Sequence, residues 1–475
     1  MNTSGQISAL IAFRATVTAK PSTDFKCKTM LYAMNGIPYT HFDTEDGPFA
    51  LRDGTLLTRG NLWSDVRELA QRLPDRRFCI NLCEDRYLFC LTLLAAMARR
   101  QVCLLPHSRL EGIINEILCD YSDAYIASDR ARSNSDCDWF EVSKPDNLDS
   151  SEPMVFDDAQ TALIAFTSGS TGHPQACIHR FGTFRTSARM ALSSLEFGQR
   201  RLLIVSTTPP QHMYGLETSI FWPLFSNLVM YAGRPFFPED IRCAIDSAPL
   251  PSLLASTPIH LRSLSGAVGN WSNLVGILSS TAQISISLAR KVEATLDARL
   301  HEIYGTTETL SFASRTTTRE TLWRPYLGAV LLQDSDGRTL LKSPHLNNAL
   351  ALQDLIRIEA NGFFEVLGRA SDMVKIGGKR TSLAELNRRL VEIEGIVDGL
   401  FFVREDGHGE YRMGAVVVSH LNKEIIRQKL KLHMDEVFLP RTIYFVASIP
   451  RNSTGKVVNK EWEALLRKLA IEIAF

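Results

Sequence analysis

Short apolar runs alternate with longer segments of helical length between residues 61 and 121, and this alternation restricts the possible folds more than any other feature of the sequence. Apolar runs of about four to eight residues are typical of buried strands, whereas the segments between them are long enough for helices. Strands that are joined through helices pair in parallel, with helices on both faces of the sheet. The predicted strands are residues 78–82 and 102–106, and the predicted helices are residues 61–73, 86–99 and 110–121.

The same alternation resumes further along the chain, which extends the predicted α/β pattern over most of its length. A hairpin with a turn at Asp53-Gly54 precedes it, because an Asp-Gly pair between apolar runs favours a two-residue turn. Residues 128–160 are polar and are predicted to form a surface connection. The later predicted elements are a helix at residues 183–195 and strands at residues 201–206, 228–232, 253–256, 274–279 and 300–304.

The character of the sequence changes near residue 365, where a strand-rich stretch ends and a mixture of short strands and helices begins. A chain of 475 residues is long for a single core, and roughly two to four domains are expected. We predict an α/β fold with a large N-terminal domain of sheets flanked by helices, residues 1–370. A small, mobile α+β C-terminal domain is predicted to follow, residues 371–475. Its expected strands are residues 397–403, 413–418 and 442–446, and its expected helices are residues 383–393, 422–433 and 460–469.

The composition is that of an ordinary globular protein, with 45% hydrophobic and 22% charged residues. Because 52 basic residues balance 52 acidic ones, no overall field favours nucleic acid or an anionic membrane as a partner. The nine cysteines contain no C-x-x-C pair, so buried free thiols in a reducing cytoplasm are expected rather than a metal site at Cys79 and Cys83. The longest apolar region, residues 220–232, is too short to cross a bilayer.

The apolar run at residues 162–166 delivers a loop of hydroxyl groups and glycines, Thr167-Ser168-Gly169-Ser170-Thr171-Gly172-His173-Pro174. Glycines let the backbone turn sharply and direct its N–H groups at a ligand, and hydroxyl groups add donors that suit phosphate oxygens. The loop lacks the Gly-Lys-Ser/Thr ending of a P-loop, and no G-x-G-x-x-G occurs elsewhere. A phosphate-binding loop is one interpretation; by composition alone, a flexible polar surface loop is equally open.

A second stretch, Tyr304-Gly305-Thr306-Thr307-Glu308, follows a predicted strand. Ligands of parallel sheets bind at the carboxyl ends of the strands. There Tyr304 could stack on a base, Thr307 could bond a phosphate oxygen, and the hard oxygens of Glu308 could hold Mg²⁺. The alternative is a helix N-cap with a glutamate in the first turn.

Three further candidate positions are charged or titratable side chains. The Asp354 carboxylate could accept hydrogen bonds from a ribose diol, and the Arg369 guanidinium offers several N–H donors in a fixed geometry. Each residue alone would be an ordinary surface charge. Lys456, in the loop at residues 450–456, could neutralise charge on a carboxylate that attacks phosphorus, or could lie on a solvated turn. His212, in the stretch at residues 210–215, could wall off a substrate carboxylate, or could simply pack.

Taken together, these five stretches resemble, in order and spacing, the adenylate-forming superfamily of acyl- and aryl-CoA ligases, peptide-synthetase adenylation domains and luciferases. The resemblance runs from roughly residue 50 to the end of the chain. It implies that ATP and a carboxylic acid react to give an acyl-adenylate and pyrophosphate, and that Mg²⁺ is the metal cofactor. The C-terminal domain would then rotate about a hinge at Ser371, and a thiol would attack the adenylate.

The resemblance also implies a role for each matching position. The β- and γ-phosphates would be held by the loop residues Thr167, Ser168, Gly169, Ser170, Thr171 and Gly172. The remaining nucleotide contacts would come from Tyr304, Gly305 and Thr306 at the adenine, Thr307 at the α-phosphate, Glu308 at Mg²⁺, and Asp354 with Arg369 at the ribose. The backbone at Thr281 and Ala282 would pass along the adenine and the acyl pocket. Lys456 would act on the adenylation transition state, and His212 would lie at the substrate carboxylate.

Four positions depart from the superfamily pattern. Gln175 replaces the usual lysine after the proline of the loop, so pyrophosphate would be held less tightly. Gln353 replaces a glycine, Ser371 replaces the hinge Asp or Lys, and Asn459 replaces an arginine. None of these changes removes a principal catalytic group, but together they allow slower adenylation or a specialised partner.

The acid and the thiol are predicted from the residues around His212. Relatives that activate amino acids place an Asp there to pair the ammonium group, and an unpaired buried ammonium would be costly. Because His212-Met213-Tyr214-Gly215 contains no acid, an amino acid is disfavoured as the substrate. The form P-x-x-H-x-x-G resembles aryl and acyl ligases instead, and the compact chain with its departures from the superfamily pattern favours a small aromatic, hydroxybenzoate-like acid. We predict transfer to the phosphopantetheine thiol of an acyl carrier protein, as in the similar ligases of aryl-polyene and xanthomonadin clusters. Alternatives are an aryl- or fatty-acid CoA ligase, a luciferase-like oxygenase and a non-catalytic acyl-adenylate binder. The presence of Lys456 and Glu308 argues against the non-catalytic binder.

Overall fold

The computed structural model describes residues 47–131, 138–143, 149–167, 175–195, 197, 200–369, 372–376, 379–405, 411–452, 455–469 and 471. These residues all belong to one structural unit, residues 42–475. The loop residues Ser168, Gly169, Ser170, Thr171 and Gly172 and the predicted hinge Ser371 lie outside the described residues.

The first fifteen strands of the described chain are short, and four of them are buried along their whole length. In chain order they are β1 Pro48–Arg52, β2 Thr55–Thr58, β3 Phe78–Asn81, β4 Val102–Leu105, β5 Ala124–Ser128, β6 Trp139–Glu141, β7 Thr161–Thr167, β8 Gln175–Arg180, β9 Leu203–Ser206, β10 Val229–Tyr231, β11 Ser252–Ser256, β12 Leu274–Ser279, β13 Leu300–Thr306, β14 Leu310–Arg315 and β15 Arg324–Pro325. The later strands are β16 Val330–Gln333, β17 Thr339–Lys342, β18 Leu350–Ala351, β19 Asp354–Ile358, β20 Phe364–Arg369, β21 Met373–Ile376, β22 Lys379–Ser382, β23 Ile396–Glu405, β24 Tyr411–Ser419 and β25 Thr442–Phe445.

The helices alternate with these strands over much of the chain. They are α1 Arg59–Arg72, α2 Arg86–Ala98, α3 Glu111–Asp120, α4 Phe181–Ser194, α5 Met213–Leu216, α6 Trp222–Leu224, α7 Pro238–Asp246, α8 Pro258–Leu264, α9 Ile286–Leu296, α10 Leu383–Val391, α11 Lys423–Lys431 and α12 Asn459–Lys468. A π-helical segment, Glu217–Phe221, joins α5 to α6, and a 3₁₀ turn covers Glu436–Phe438. Among the described residues, no helix combines the length and the apolar character needed to cross a membrane.

Two sheets form the first part of the molecule, as the predicted domain of sheets flanked by helices requires. One sheet has the order β15-β14-β13-β12-β11-β9-β10-β1-β2, with parallel pairs from β13 to β1 and antiparallel pairs at both edges. The other has the order β6-β5-β3-β4-β7-β8 and is parallel except for β8. A large apolar cluster joins α1, α2, α4 and the π-helical segment to residues of both sheets, which explains why α2 is buried almost along its whole length.

The predicted hairpin at the start of the described chain is confirmed. Asp53 and Gly54 have φ angles of 49° and 77°, as a two-residue turn between twisted strands requires. The surface connection predicted at residues 128–160 is wrong in one respect, because β6 pairs with β5 at the edge of the second sheet. Its alternating Trp-Phe-Glu pattern is too short to separate from a loop by sequence.

The last hundred or so residues, a typical size for a small domain, form a second region with its own core. β23 pairs antiparallel with β24, and β25 pairs with β24 in parallel. Apolar residues of this sheet, α10 and α11 make one buried cluster, and residues near α12 make another on the opposite face. The predicted fold class, a large N-terminal α/β domain with a smaller C-terminal one, is therefore confirmed, while the boundary at residue 370 and the mobility remain predictions.

Candidate active site

The loop predicted to bind phosphates is the turn of a hairpin. β7 runs antiparallel to β8, and Thr167, the last residue of β7, pairs with Gln175, the first residue of β8. The predicted phosphate-binding residues 168–172 therefore lie between two paired strand ends. Gln175 is exposed at the base of this hairpin.

The Tyr304–Glu308 stretch is also a turn between antiparallel strands. β13 ends at Thr306, and β14 begins at Leu310. The alternative of a helix N-cap at these residues is thus wrong, because β14 follows the turn. A Cβ atom at Gly305 would clash with the carbonyl oxygen of Leu310, so only glycine fits there. The Thr306 N–H donates to Thr309 Oγ1 (2.9 Å), which holds the turn closed.

Tyr304, Asp354 and Arg369 lie together beneath this turn. The Tyr304 hydroxyl donates to the Asp354 carboxylate, and Arg369 Nε is 3.5 Å from Asp354 Oδ1. β19 and β20 pair in a register that puts Asp354 opposite Arg369. The Tyr304 ring packs against Trp323, with 5.2 Å between centroids. Burial, followed by the charge of Asp354, raises the pKa of Tyr304 well above its ordinary value, so its hydroxyl remains a donor.

Glu308 connects this turn to β8. Its charge raises the pKa of Cys177 and opposes the lowering of the pKa of His179, both residues of β8, and the backbone of Thr307 acts on His179 in the same sense. Burial lowers the pKa of His179 to about 4, so the ring is neutral near pH 7. The base of the phosphate-loop hairpin therefore lies beside Thr307 and Glu308, as a shared triphosphate site requires.

Lys456 reaches the same place from the C-terminal region. The Lys456 N–H donates to Asn452 Oδ1 (3.0 Å), and Arg451 binds Asp398 through two hydrogen bonds (2.8 and 2.9 Å). Lys456 as a whole residue is exposed, although protein atoms surround its ammonium group closely enough to desolvate it. Its pKa is lowered first by burial and then by the positive charge of Arg369, while Glu308 opposes the shift. The predicted catalytic lysine, ribose-binding arginine and metal-binding glutamate are thus within electrostatic range of one another.

His212 faces Lys456 across this site. It caps α5, and its Nδ1 accepts the N–H of Tyr214 (3.3 Å). Burial, with a further contribution from the charge of Lys456, lowers the pKa of His212 to about 3, which keeps the imidazole neutral. A Cβ atom at Gly215 would clash with the carbonyl oxygen of Pro209, so the glycine of this motif is needed for the chain to fold back.

Thr281 and Ala282 follow β12, beside β13. Thr281 has a φ of 76°, an uncommon angle for a β-branched residue. Ser280 Oγ donates to the carbonyl oxygen of Ile303 in β13 (2.9 Å), which ties this turn to the strand that carries Tyr304. Strained backbone of this kind is concentrated at ligand sites. The passage of this backbone along a nucleotide stays a prediction.

The described residues contain no cluster of three or more His, Cys, Asp or Glu side chains that could hold a metal ion by themselves. Mg²⁺ keeps several waters and takes only one or two carboxylates, with substrate phosphates as further ligands. Glu308, beside the phosphate-loop hairpin, fits such an ion.

The sequence analysis missed a buried carboxyl group near His212. Glu217, in the π-helical segment, accepts hydrogen bonds from the N–H (3.1 and 3.0 Å) and the hydroxyl (2.7 Å) of Ser311. Burial raises the pKa of Glu217 to about 7. The available signal was an acidic residue inside the apolar run between Leu216 and Leu224. π-Helical turns are frequent at functional sites.

Comparison with known proteins places the chain in a family. The model of the AMP-binding enzyme family matches residues 66–333, more than half of the chain. The chain belongs to the AMP-binding enzyme family. The predicted enzyme class, an AMP-forming acid–thiol ligase with ATP and Mg²⁺ as cofactors, is thereby confirmed.

Individual relatives are distant. The chain is 28% identical over 313 residues to 4-coumarate–CoA ligase of Halorhodospira halophila, a match that covers 62% of this chain and 75% of that one. It spans 60% of a malonate–CoA ligase and 64% of an OPC-8:0-CoA ligase, both of Arabidopsis thaliana.

Two solved structures of other AMP-binding enzymes have the same fold. The o-succinylbenzoate CoA synthetase of Bacillus subtilis, in complex with its acyl-adenylate intermediate, has a TM-score of 0.76 at 17% identity, covering 88% of this chain and 95% of that one. An anthranilate CoA ligase in complex with anthranoyl-AMP has a TM-score of 0.74 at 15% identity, covering 93% and 97%.

Proposed function

We propose that this AMP-binding enzyme activates a small aromatic carboxylic acid as its adenylate and transfers the acyl group to the phosphopantetheine thiol of an acyl carrier protein. The observation that carries the proposal is the position of Lys456 among His212, Glu308 and Arg369, because it joins the two regions of the chain at one polar site.

In the first half-reaction, a carboxylate oxygen of the acid attacks the α-phosphorus of ATP, and the bond to the bridging oxygen of pyrophosphate breaks. Negative charge accumulates on the oxygens around phosphorus, where the Lys456 ammonium stabilises it. Thr167 and the loop that follows would hold the departing phosphates, and Thr307 would contact the α-phosphate. Mg²⁺, held by Glu308, would neutralise phosphate charge.

The nucleoside is held by neighbouring groups in this proposal. Asp354 accepts hydrogen bonds from the ribose hydroxyls, assisted by Arg369, and the Tyr304 ring packs on the base. Because Tyr304 already donates to Asp354 and rests on Trp323, its ring orientation is set before the nucleotide binds. Preorganisation of this kind lowers the entropic cost of binding. Thr281 and Ala282 would border the adenine and the acid.

An aromatic acid is supported by two observations. His212 is neutral and lies beside the lysine, so it can border a carboxylate without adding charge. Three of the proteins named above are ligases of aromatic acids, namely coumarate, o-succinylbenzoate and anthranilate, whereas the malonate–CoA and OPC-8:0-CoA ligases are not named for aromatic acids. In the second half-reaction, the thiol sulfur attacks the acyl carbon and AMP departs. A CoA ligase for an aryl or fatty acid is the second candidate, favoured by the CoA acceptor in these relatives' names.

Pyrophosphate release tests the first half-reaction. The purified chain is incubated with ATP, Mg²⁺ and a panel of hydroxybenzoates, benzoates, cinnamates and fatty acids, with a no-acid blank. We expect the highest rate with a hydroxybenzoate. Holo-carrier proteins and CoA are then compared as acceptors by thioester formation. Release with fatty acids alone would contradict the proposed acid, and thioester formation with CoA alone would contradict the proposed acceptor.

A further inference from the structure

A buried ion pair lies in the two strands next to the ring of Tyr304. The register of β13 and β14 places Glu302 opposite Arg315 and Tyr304 opposite Ala313. Glu302 is 1% exposed and Arg315 is 7% exposed, so both charges are removed from water. Alternate residues of a strand point to the same face of a sheet. The ion pair and the Tyr304 ring are therefore neighbours on one face, and the small side chain of Ala313 leaves room between them.

Several hydrogen bonds fix the orientation of this ion pair. The Nε and Nη2 atoms of Arg315 lie 2.7 and 2.6 Å from Glu302 Oε2, and its Nη1 donates to the carbonyl oxygen of Thr321 (3.1 Å). Glu302 also accepts the N–H of Ile284 (3.0 Å) and the hydroxyl of Thr317 (2.5 Å). Charge-assisted bonds of this number define a single geometry. The plane of the guanidinium group is thus set by the strands around it.

The face of this guanidinium group packs on Trp323. Arg315 Cζ lies 4.4 Å from the centroid of the indole ring. Trp323 is buried, and among the residues that the structure describes its Nε1 has no hydrogen-bond acceptor. Tryptophan is the best aromatic partner of a cation, and the attraction is strongest where water is excluded. Since no hydrogen bond orients the indole, its packing on Arg315 and on other rings does.

Trp323 in turn connects the two groups predicted to hold the nucleoside. Its ring packs on that of Tyr304, with 5.2 Å between centroids and 44° between planes. Its N–H donates to the carbonyl oxygen of Phe364 in β20 (2.8 Å), and the Phe364 N–H donates back (3.1 Å). β20 ends at Arg369, opposite Asp354. The indole thus lies between the sheet that carries the base-binding ring and the strand pair that carries the ribose-binding charges.

We propose that Arg315 is a positioning residue for nucleotide binding: it holds the indole of Trp323 against Tyr304 and so presents the Tyr304 ring to the base. Arg315 is buried, and its guanidinium group is occupied by Glu302 and the Trp323 ring, so it acts through this ring and not by contacting ATP. A ring held in its binding orientation loses little freedom when the base packs on it. This inference rests on the proposed nucleotide role of Tyr304 and adds the side chains that orient it.

Binding without the acid tests the inference in the absence of turnover. Calorimetry with Mg²⁺ compares ATP, 2′,3′-dideoxy-ATP, which lacks the ribose diol, and inorganic tripolyphosphate, which lacks the nucleoside. We expect Arg315→Met to weaken both nucleotides about 10-fold, the value of one aromatic contact, and to leave tripolyphosphate unchanged. Arg315→Lys should keep part of the affinity, because it keeps the cation but not the planar face. Arg324→Met is the matched control, since Arg324 follows Trp323, is exposed, lies 5.6 Å from the Phe363 ring and pairs with Glu320.

Two further variants separate positioning from a loss of folding. Arg315→Met leaves the Glu302 carboxylate buried without its partner, which is destabilising, so Glu302→Gln combined with Arg315→Met is measured beside it. The double variant should fold, as circular dichroism reports, and should show the same selective loss of nucleotide affinity. In a Tyr304→Ala background, Arg315→Met should cause no further loss, because the ring through which it acts is gone.

Several results would overturn the inference. An equal loss of tripolyphosphate affinity would make the role of Arg315 a general structural one. A loss for ATP but not for dideoxy-ATP would show that Arg315 acts on the ribose through Asp354. Additive losses in the Tyr304→Ala background would exclude the ring as the intermediary. In turnover, we expect KM for ATP to rise while kcat changes little, the pattern of lost uniform binding. Absence of acid-dependent pyrophosphate release by the wild type would refute the proposed function, whereas the binding comparison would still decide the role of Arg315.

Discussion

Lys456 lies at the end of a turn whose geometry is set by its neighbours. Arg451 holds both Asp398 and the carbonyl oxygen of Gly455 (2.8 Å), and the Asn452 N–H donates to the Lys456 carbonyl oxygen (2.8 Å). Lys456 is an exposed residue, and its ammonium group lies within electrostatic range of Glu308, Arg369 and His212. A charge held in this way costs little reorganisation during reaction, and it acts more strongly than it would in water.

Replacing Lys456 tests its role at the residue scale. We expect Lys456→Ala to lower acid-dependent pyrophosphate release by roughly 100-fold or more, as the loss of one preorganised group can. The exposed Lys431 on α11 supplies the control, since Lys431→Ala removes equal charge from the same region. Pyrophosphate release at the wild-type rate by Lys456→Ala would refute the assigned role.

At the scale of elements, the helical stretch from α5 to α6 connects the catalytic parts. His212 caps its first turn, and Glu217 links its π-helical segment to Ser311 in β14, which follows the Thr307–Glu308 turn. The buried Arg86 of α2 donates to the carbonyl oxygens of Ser206 and Thr208 (2.6 Å each), just before His212. Helix, strand and turn are therefore held in one arrangement by two buried charged side chains.

The Glu217 carboxyl group predicts a pH dependence of stability. Its pKa is raised from 4.5 to about 7, so the folded protein binds more protons than the unfolded chain between these values. Stability from this group is complete below pH 4.5 and is lost as the pH rises toward 7. Glu217→Gln lacks this pH-dependent loss. The change in its unfolding free energy between pH 5 and 8 should therefore differ from that of the wild type by roughly 2–3 kcal/mol.

Urea unfolding of both proteins across this pH range measures the difference. Ser187→Ala is the control, because it removes two long hydrogen bonds, to Glu217 and to the carbonyl oxygen of Ser311 (3.4 Å each), and keeps the carboxyl group. Identical pH profiles of the wild type and Glu217→Gln would contradict a raised pKa in the folded state.

At the scale of the whole molecule, residues of α8 contact the C-terminal region. Arg262 of α8 donates to the carbonyl oxygen of Val397, and Gly455 borders Ile259 on the same helix. Buried imidazoles stabilise the larger region in their neutral form. Burial lowers the pKa of His179, His260 and His345 to about 4 and that of His212 to about 3.

These histidines predict loss of stability in mild acid. The unfolded chain binds their protons with a pKa near 6.5 and the folded protein only near 3 to 4, so stability falls as the pH drops below 6.5. We expect the thermal midpoint to decrease between pH 7 and 5. His345→Gln should flatten this decrease, whereas a change of the exposed His420 should not. An equal decrease in His345→Gln and wild type would show that His345 does not contribute.

Local patterns in the sequence predicted most strands and helices to within a few residues, because periodicity and turn residues act over short distances. They also predicted which side chains could serve a nucleotide. Asp354 and Arg369 were chosen from a resemblance, and the register of β19 and β20 is what brings them together. The sequence of the Tyr304–Glu308 turn is compatible with both a helix cap and a strand end, because both use the same types of residue.

The sequence by itself determined the α/β character, the hydroxyl-rich loop after β7 and the lysine near the end of the chain, all of which depend on neighbours along the chain. Only the tertiary structure decided how the strands divide between two sheets and that a β-hairpin follows Tyr304. It also decided that Glu217 contacts Ser311. These features arise from contacts between residues far apart in sequence, whose free energy depends on burial and on neighbouring charges that no local pattern records.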